Sequence, residues 1–139
     1  MKIDIETIKK FFSKDKFAKS TGIKINSITE DSVECSMEIK DIHRNAAFNV
    51  HGGAIFTLAD FTFGLHANVD NFSGSIVGAT VSQSCTISYM KSTKGKILIS
   101  KSKCINKGRN MSVYQIDITD DLNKRIAIMV GNGFTITKK

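Results

Sequence analysis

Residues 50–69, VHGGAIFTLADFTFGLHANV, are apolar or small at nearly every position, and the run is too long for a strand. A helix that is apolar on all sides has no face to offer to water, so it belongs in the centre of something. Its length also invites a membrane reading. Against that, His51, Asp60, His66 and two threonines interrupt it, and such groups are expensive in hydrocarbon. The expectation is a buried helix from Gly52 to about Asn71 inside a folded domain, with no membrane partner.

The rest of the chain must supply what covers that helix. Between Ile3 and Phe12 the apolar positions Ile5, Ile8, Phe11 and Phe12 follow helical spacing, and Phe17 and Ala18 continue in a second short turn before Gly22. GIKINSITE and SVECSMEIK then alternate with period two and predict a hairpin joined at Glu30-Asp31, followed by a loop from Asp41 to Val50. After the Gly74 and Gly78 region, four strands are expected: about Ala79 to Met90, Lys96 to Asn106, Ser112 to Asp117 and Arg125 to Thr137. Lys94-Gly95, Lys107-Gly108 and Asp120-Asp121 mark their turns. The order of elements implies an α+β layering, a largely antiparallel sheet wrapped around one long helix. With 139 residues, 41% of them hydrophobic, no proline and no linker-like tract, a single domain over residues 1–139 is expected. The N-terminus lacks the apolar stretch and cleavage site of a signal peptide, which predicts a cytoplasmic location.

Asp60 is the only formally charged side chain between Gly52 and Val69, on the stripe Gly53, Phe56, Asp60, Gly64, Ala67. A carboxylate in apolar surroundings is destabilising unless paired or hydrogen-bonded, so Asp60 either caps a neighbouring backbone group or serves chemistry. Directly before the helix stands His51-Gly52-Gly53. A helix start without bulky side chains exposes unpaired N–H groups and the positive end of the dipole, which suits an oxygen carrying developing negative charge, as in acyl transfer. A tight turn into a helix would favour the same two glycines. Gly53 and Asp60 are seven residues apart, about 10 Å of helical rise, too far for one carbonyl to meet both. Two copies with antiparallel helices about a two-fold axis would bring Asp60 of one to the Gly52-Gly53 terminus of the other.

The pattern N-x5-H-G-G-x6-D from Asn45 to Asp60, continuing as HGGAIFTLADFTFGLHAN, closely resembles the PaaI-like branch of the hotdog-fold thioesterase superfamily. FAKSTGIKI, CTISYMK and KGRNMSVYQIDI resemble further parts of that family, so roughly residues 15 to 137 fit. The resemblance implies a hotdog fold and an acyl-CoA thioesterase acting on an aryl or a short- or medium-chain ester. It implies Asp60 as nucleophile or general base, and the N–H of Gly52 or Gly53 as the group polarising the carbonyl. Asn45 would orient carbonyl or water, and Ser82, ahead of Thr80 and Ser84, would assist the water. His51 is expected to shape the loop rather than transfer a proton. A homo-oligomer follows, with the dimer as minimal unit and a tetramer as the expected assembly. Two positions depart from the family pattern: Phe48 stands where glycine is frequent, and Lys91-Ser92 replaces a frequent Arg-Pro.

The net charge is +7, and eleven Lys/Arg against three Asp fall from Lys91 onward. Coenzyme A carries several phosphate charges, which makes Lys91, Lys107 and Arg109 candidates for holding it, beside the plainer reading of a solvated basic face. No aromatic stripe or recognition helix supports a nucleic-acid partner. Cys35, Cys85 and Cys104 are widely spaced with no metal-ligand register, so reduced thiols, no metal and no cofactor apart from the substrate's own coenzyme A are expected. His43 and His66 read as structural or surface residues, and Phe56, Phe61 and Phe63 as core or as an acyl-pocket lining. The rival readings are a hotdog dehydratase, which needs a better placed histidine, and a non-catalytic acyl-CoA-binding protein.

Overall fold

A computed structural model describes residues 4–71 and 77–137. The chain opens with two short helices, α1 (Ile5–Phe12) and α2 (Lys16–Thr21). The Asp4 and Asp15 side chains accept from Thr7 N–H and Ala18 N–H, satisfying first-turn donors. Gly22 ends α2 with φ +84°, a left-handed conformation that glycine adopts without penalty. The expected helix start at Ile3 and the loop glycine Gly74 lie outside the described residues.

Six strands follow: β1 (Ile23–Ile28), β2 (Ser32–Glu38), β3 (Thr80–Tyr89), β4 (Ile97–Lys107), β5 (Met111–Asp120) and β6 (Arg125–Thr135). They form one sheet in the order β1-β2-β4-β5-β6-β3, with every pairing antiparallel. Between β2 and β3 runs α3 (Gly52–Ala67), preceded by a 3-10 turn at Asp41–His43. This is the expected α+β hotdog arrangement. Strand β5 runs three residues beyond its expected end, because Ile118, Thr119 and Asp120 still pair with Ser100, Ile99 and Leu98. The turn falls instead at Asp121 to Lys124, where Asn123 takes φ +61°.

The core lies between α3 and the sheet, where Leu58, Phe63 and Leu65 meet Met37, Leu98, Ile116 and Met129. Each such side chain, fully buried, stabilises by about 1.5–3 kcal/mol. Phe63 packs so closely on β6 that a Cβ at Gly131 would stand 2.7 Å from its ring, which is why residue 131 carries no side chain. Phe63 is therefore core. The helix ends at Ala67, four residues short of the expected Asn71, since the Asn68 side chain turns back to donate to Gly64 O and Thr80 O while accepting from Thr80 N–H.

One expectation fails. The helix is buried on one face only, and Asp60 lies on the other, exposed to solvent in the single chain. An apolar sequence all round shows no stripe to say which face turns inward, and the sheet covers only one.

Candidate active site

His51 occupies the N-cap of α3 in extended conformation, and its Nδ1 accepts the Gly53 N–H at 2.8 Å. The His51 carbonyl accepts from Ala54 and Ile55 N–H at 2.9 and 3.2 Å. Of the first-turn donors, these bonds leave the Gly52 N–H without an acceptor among the described residues. It points out of the positive end of the helix. The histidine thus closes one glycine N–H and leaves its neighbour open.

Tyr89, at the end of β3, lies over Gly52. Its hydroxyl donates to Gly52 O at 3.1 Å, and its ring would meet a Cβ at residue 52 at 3.3 Å. Sequence reasoning missed Tyr89, because the alternation Cys85, Ile87, Tyr89 reads as a core-facing row and nothing local links it to Gly52, 37 residues away. Beside them is a cavity of about 310 Å³ lined also by Lys91, Ser92, Thr93, Ile55 and Ile126.

Asn45 is committed to its own loop, its Oδ1 accepting from Ala47 and Asn49 N–H at 3.0 and 3.1 Å. Phe48, three residues after Asn45, has φ +66°, a left-handed conformation in which glycine is unstrained. Arg44 braces it, donating to Phe48 O at 3.1 Å and lying 5.8 Å from the ring centroid. Ser82 precedes a bulge in β3 and contacts the Cys85 sulfur at 3.3 Å. Ser84 accepts from Asn132, and Thr80 bonds Thr135.

Asp60 stands in the middle of α3, eight residues and about 12 Å along the axis from Gly52. Neither a hydrogen bond nor an ion pair holds it among the described residues. Partial desolvation, and after it the nearby Asp15 carboxylate, raise its pKa above the ordinary aspartate value. One chain therefore does not bring Asp60 and Gly52 together. Nor does it gather the three basic candidates. Lys91 lines the same cavity as Gly52, while Lys107 pairs with Asp70 at 3.6 Å past the other end of α3, and Arg109 is exposed in the β4–β5 turn.

The remaining histidines are internal. His43 accepts from Lys40 N–H at 3.0 Å through Nδ1 and lies 2.8 Å from Thr21 O, and His66 contacts Ser102 Oγ at 2.7 Å and Glu30 O at 3.1 Å. The cysteines are free thiols, and burial pushes Cys35 up to about 12. Among the described residues no group of three or more His, Cys, Asp or Glu could hold a metal ion, and no helix is long and apolar enough to cross a membrane.

Residues 6–127 match the family described as a domain of unknown function, DUF4442. A candidate esterase of Archaeoglobus fulgidus is 30% identical over 136 residues, 96% of this chain and 84% of that one. The acyl-coenzyme A thioesterase PaaI of Escherichia coli K12 is 28% identical over 126 residues, 90% of this chain and 86% of that one. The solved structure of the E. coli PaaI protein from the phenylacetic acid degradation operon has a TM-score of 0.85 at 25% identity, covering 96% of this chain and 94% of that one. A Streptococcus mutans protein solved with acetyl-CoA has a TM-score of 0.74 at 26% identity, covering 85% and 91%. The chain thus belongs to the DUF4442 family and is a PaaI-like member of the hotdog thioesterase superfamily.

Proposed function

We propose that this protein hydrolyses acyl-coenzyme A to a free acid and coenzyme A, at sites shared between two protomers. The observation that carries the reading is a division of parts along α3: an open Gly52 N–H at its start and an unpaired carboxylate, Asp60, on its outer face. Antiparallel packing of two such helices about a two-fold axis sets Asp60 of one protomer against Gly52 of the other. Two features support the pairing. The outer stripe of α3 is only partly covered in the single chain, with Gly53 and Asp60 exposed, and β3 is an edge strand of the sheet.

In that assembly the Gly52 N–H donates to the thioester carbonyl and stabilises the oxyanion as it forms. Asp60 either attacks the carbonyl carbon, giving an anhydride that water then opens, or takes a proton from the attacking water. By either route the C–S bond breaks, the thiolate leaves with a proton derived from water, and the acid is released. An elevated pKa strengthens Asp60 as a base. Asn45 Nδ2 and the Ser82 hydroxyl are the groups assigned to orienting carbonyl and water, and His51 caps the helix. Lys91 would meet the coenzyme A phosphates, with Lys107 and Arg109 of the second protomer approaching from the far end of its α3. Acetyl-CoA in the S. mutans relative supports this ligand class.

Release of free thiol from a panel of acyl-CoA esters tests the reading, and mixed dimers test the shared site. An Asp60→Asn chain and a Gly52→Trp chain, whose added side chain covers the N–H of residue 52 and displaces Tyr89, are each expected to be inactive alone and should regain activity when exchanged into one dimer, because one of the two sites then holds both parent residues. No recovery in proven heterodimers rejects the shared site. Tight binding of the esters without thiol release would mark a non-catalytic acyl-CoA-binding protein instead.

A further inference from the structure

The loop from Lys40 to His51 carries Asn45 and leads directly into the Gly52 N–H, the two groups assigned to the thioester carbonyl, yet it has little grip on the core. Between Lys40 and His51 only His43 is buried, at 5% exposure. An apolar side chain would anchor a loop without the cost of desolvating an imidazole, so the polar ring calls for a reason.

Its bonds supply one. Nδ1 accepts the Lys40 N–H at 3.0 Å, so in the neutral ring the proton is on Nε2, which donates to Thr21 O at 2.8 Å. Thr21 is the last residue of α2, and α2 packs against α3. The main chain of His43 completes the link, its carbonyl accepting the His51 N–H at 2.7 Å. Beyond that bond the loop closes on itself through the Arg44–Val50 bridge and the bond from Asn45 N–H to Asn49 O at 2.8 Å. Residues 44–50 thus form a small hairpin whose base is the His43–His51 bond, and the far side of that base is the N-cap of α3. One residue holds both ends, its ring on α2 and its carbonyl on the start of α3.

We infer that His43 is a positioning residue of the carbonyl site: tied to Thr21 O, it fixes where Asn45 and the Gly52 N–H stand. The assignment rests on the thioester hydrolase reading and adds to it a residue that touches neither substrate nor reacting atoms. The Thr21 bond carries the role. The Lys40 bond spans three residues and only closes the 3-10 turn, whereas Thr21 lies 22 residues away on a separate element. Without that tie the hairpin shifts as a unit, and a misplaced donor weakens the contact with the developing oxyanion more than the binding of the substrate.

Three substitutions separate the two ring bonds. His43→Gln offers an amide N–H to Thr21 O, His43→Asn offers only an acceptor to the Lys40 N–H, and His43→Leu offers neither. On protein shown to be folded by circular dichroism, kcat for an acyl-CoA that the parent cleaves should fall about 10–100-fold in His43→Leu and His43→Asn, with KM within about twofold, and His43→Gln should return to within about threefold of the parent. Parent kcat in folded His43→Leu, a loss confined to KM, or His43→Gln no better than His43→Leu overturns the assignment. Should His43→Leu not fold, the Asn and Gln variants decide by the same comparison. Amide exchange follows the tie without turnover: the His51 N–H should exchange at least about tenfold faster in His43→Asn than in the parent or His43→Gln, while the amides of β5 keep their protection. Should the parent cleave no acyl-CoA ester, the hydrolase reading fails by itself and exchange decides for His43. Faster His51 exchange in His43→Asn that His43→Gln reverses then upholds the anchor, and equal exchange in all three proteins rejects it.

Discussion

On its inner face α3 sets Leu58, Thr62, Phe63, Leu65 and His66 against the sheet, and even His66 is only 3% exposed. The polar groups there are spoken for. Thr62 donates to Leu58 O and contacts Ser100, and His66 reaches Ser102 and Glu30 O. On the outer face Gly53, Phe56, Asp60, Gly64 and Ala67 remain half-exposed or exposed, and Asp60 has no bonded partner among the described residues. The two faces have similar composition, so polarity alone does not separate structure from chemistry. What separates them is satisfaction. A buried polar group with its bonds made specifies the fold, and an unsatisfied one on an uncovered face is free to act.

The sharpest way to break this contrast is Asp60→Asn. The substitution should lower kcat by about 10²–10⁴ while the protein stays folded, since no hydrogen bond is lost. Stability supplies an independent check. Burial raises the folded-state pKa of Asp60 above its unfolded value, so the favourable contribution of the protonated form is present in acid and lost as pH rises through the elevated value. Asparagine avoids that loss, and at neutral pH the variant should melt no lower than the parent. Parent activity should rise with pH through the same ionisation. Unchanged turnover in the variant would return Asp60 to a surface role.

His66→Ala asks the converse question of the inner face. It opens a cavity and removes the His66 contacts to Ser102 Oγ and Glu30 O, which should reduce stability by about 2–3 kcal/mol in denaturant unfolding. kcat should change little. Desolvation holds the His66 imidazole below its ordinary pKa, so its stabilising contribution is present above about pH 6.5 and fades as pH falls below that. The melting temperature of the parent should accordingly decline towards pH 5, with a shallower decline in the variant. Equal slopes would show that another group sets the acid limb.

Most of the frame was legible in the sequence because its signals are local. Period-two alternation in SVECSMEIK and the turn at Lys107-Gly108 place strands to within a residue or two. The lone charge at position 60 was visible for the same reason. Its exposure was not, since a helix apolar on every side gives no phase. Nor could spacing choose between Gly52 and Gly53. The His51 ring makes that difference by occupying one N–H, a side-chain geometry that no residue count encodes. The partners of His66 were equally hidden, lying 36 residues away on either side.

Tyr89 joins the two regimes, anchored by β3 and reaching the first turn of α3. Tyr89→Phe keeps the ring over Gly52 and removes only the bond to its carbonyl. Stability should fall by about 0.5–1.5 kcal/mol or less, as the hydroxyl is half-exposed. If that bond aims the Gly52 N–H, kcat should drop about tenfold with KM nearly constant, the pattern of a group that positions a transition-state contact. A change in KM alone would make Tyr89 part of the binding cavity instead.

Phe48→Gly carries the smallest expected effect and tests whether the loop before α3 behaves like the inner or the outer face. Phe48 is 70% exposed and held at φ +66°. Left-handed backbone costs a bulky residue about 1–2 kcal/mol, which glycine recovers. Glycine in turn raises the entropy of the unfolded chain, worth about 0.4–1 kcal/mol, and loses the Arg44–ring contact, worth about 0.5–1 kcal/mol. These nearly cancel, so the midpoint of unfolding should move by less than about 0.5 kcal/mol, in contrast with His66→Ala. A fall in kcat/KM at unchanged stability would place the ring on the substrate path. A stability loss beyond about 1 kcal/mol would mean instead that this exposed loop is held as firmly as the core, and the distinction between satisfied and unsatisfied faces would stop at the helix.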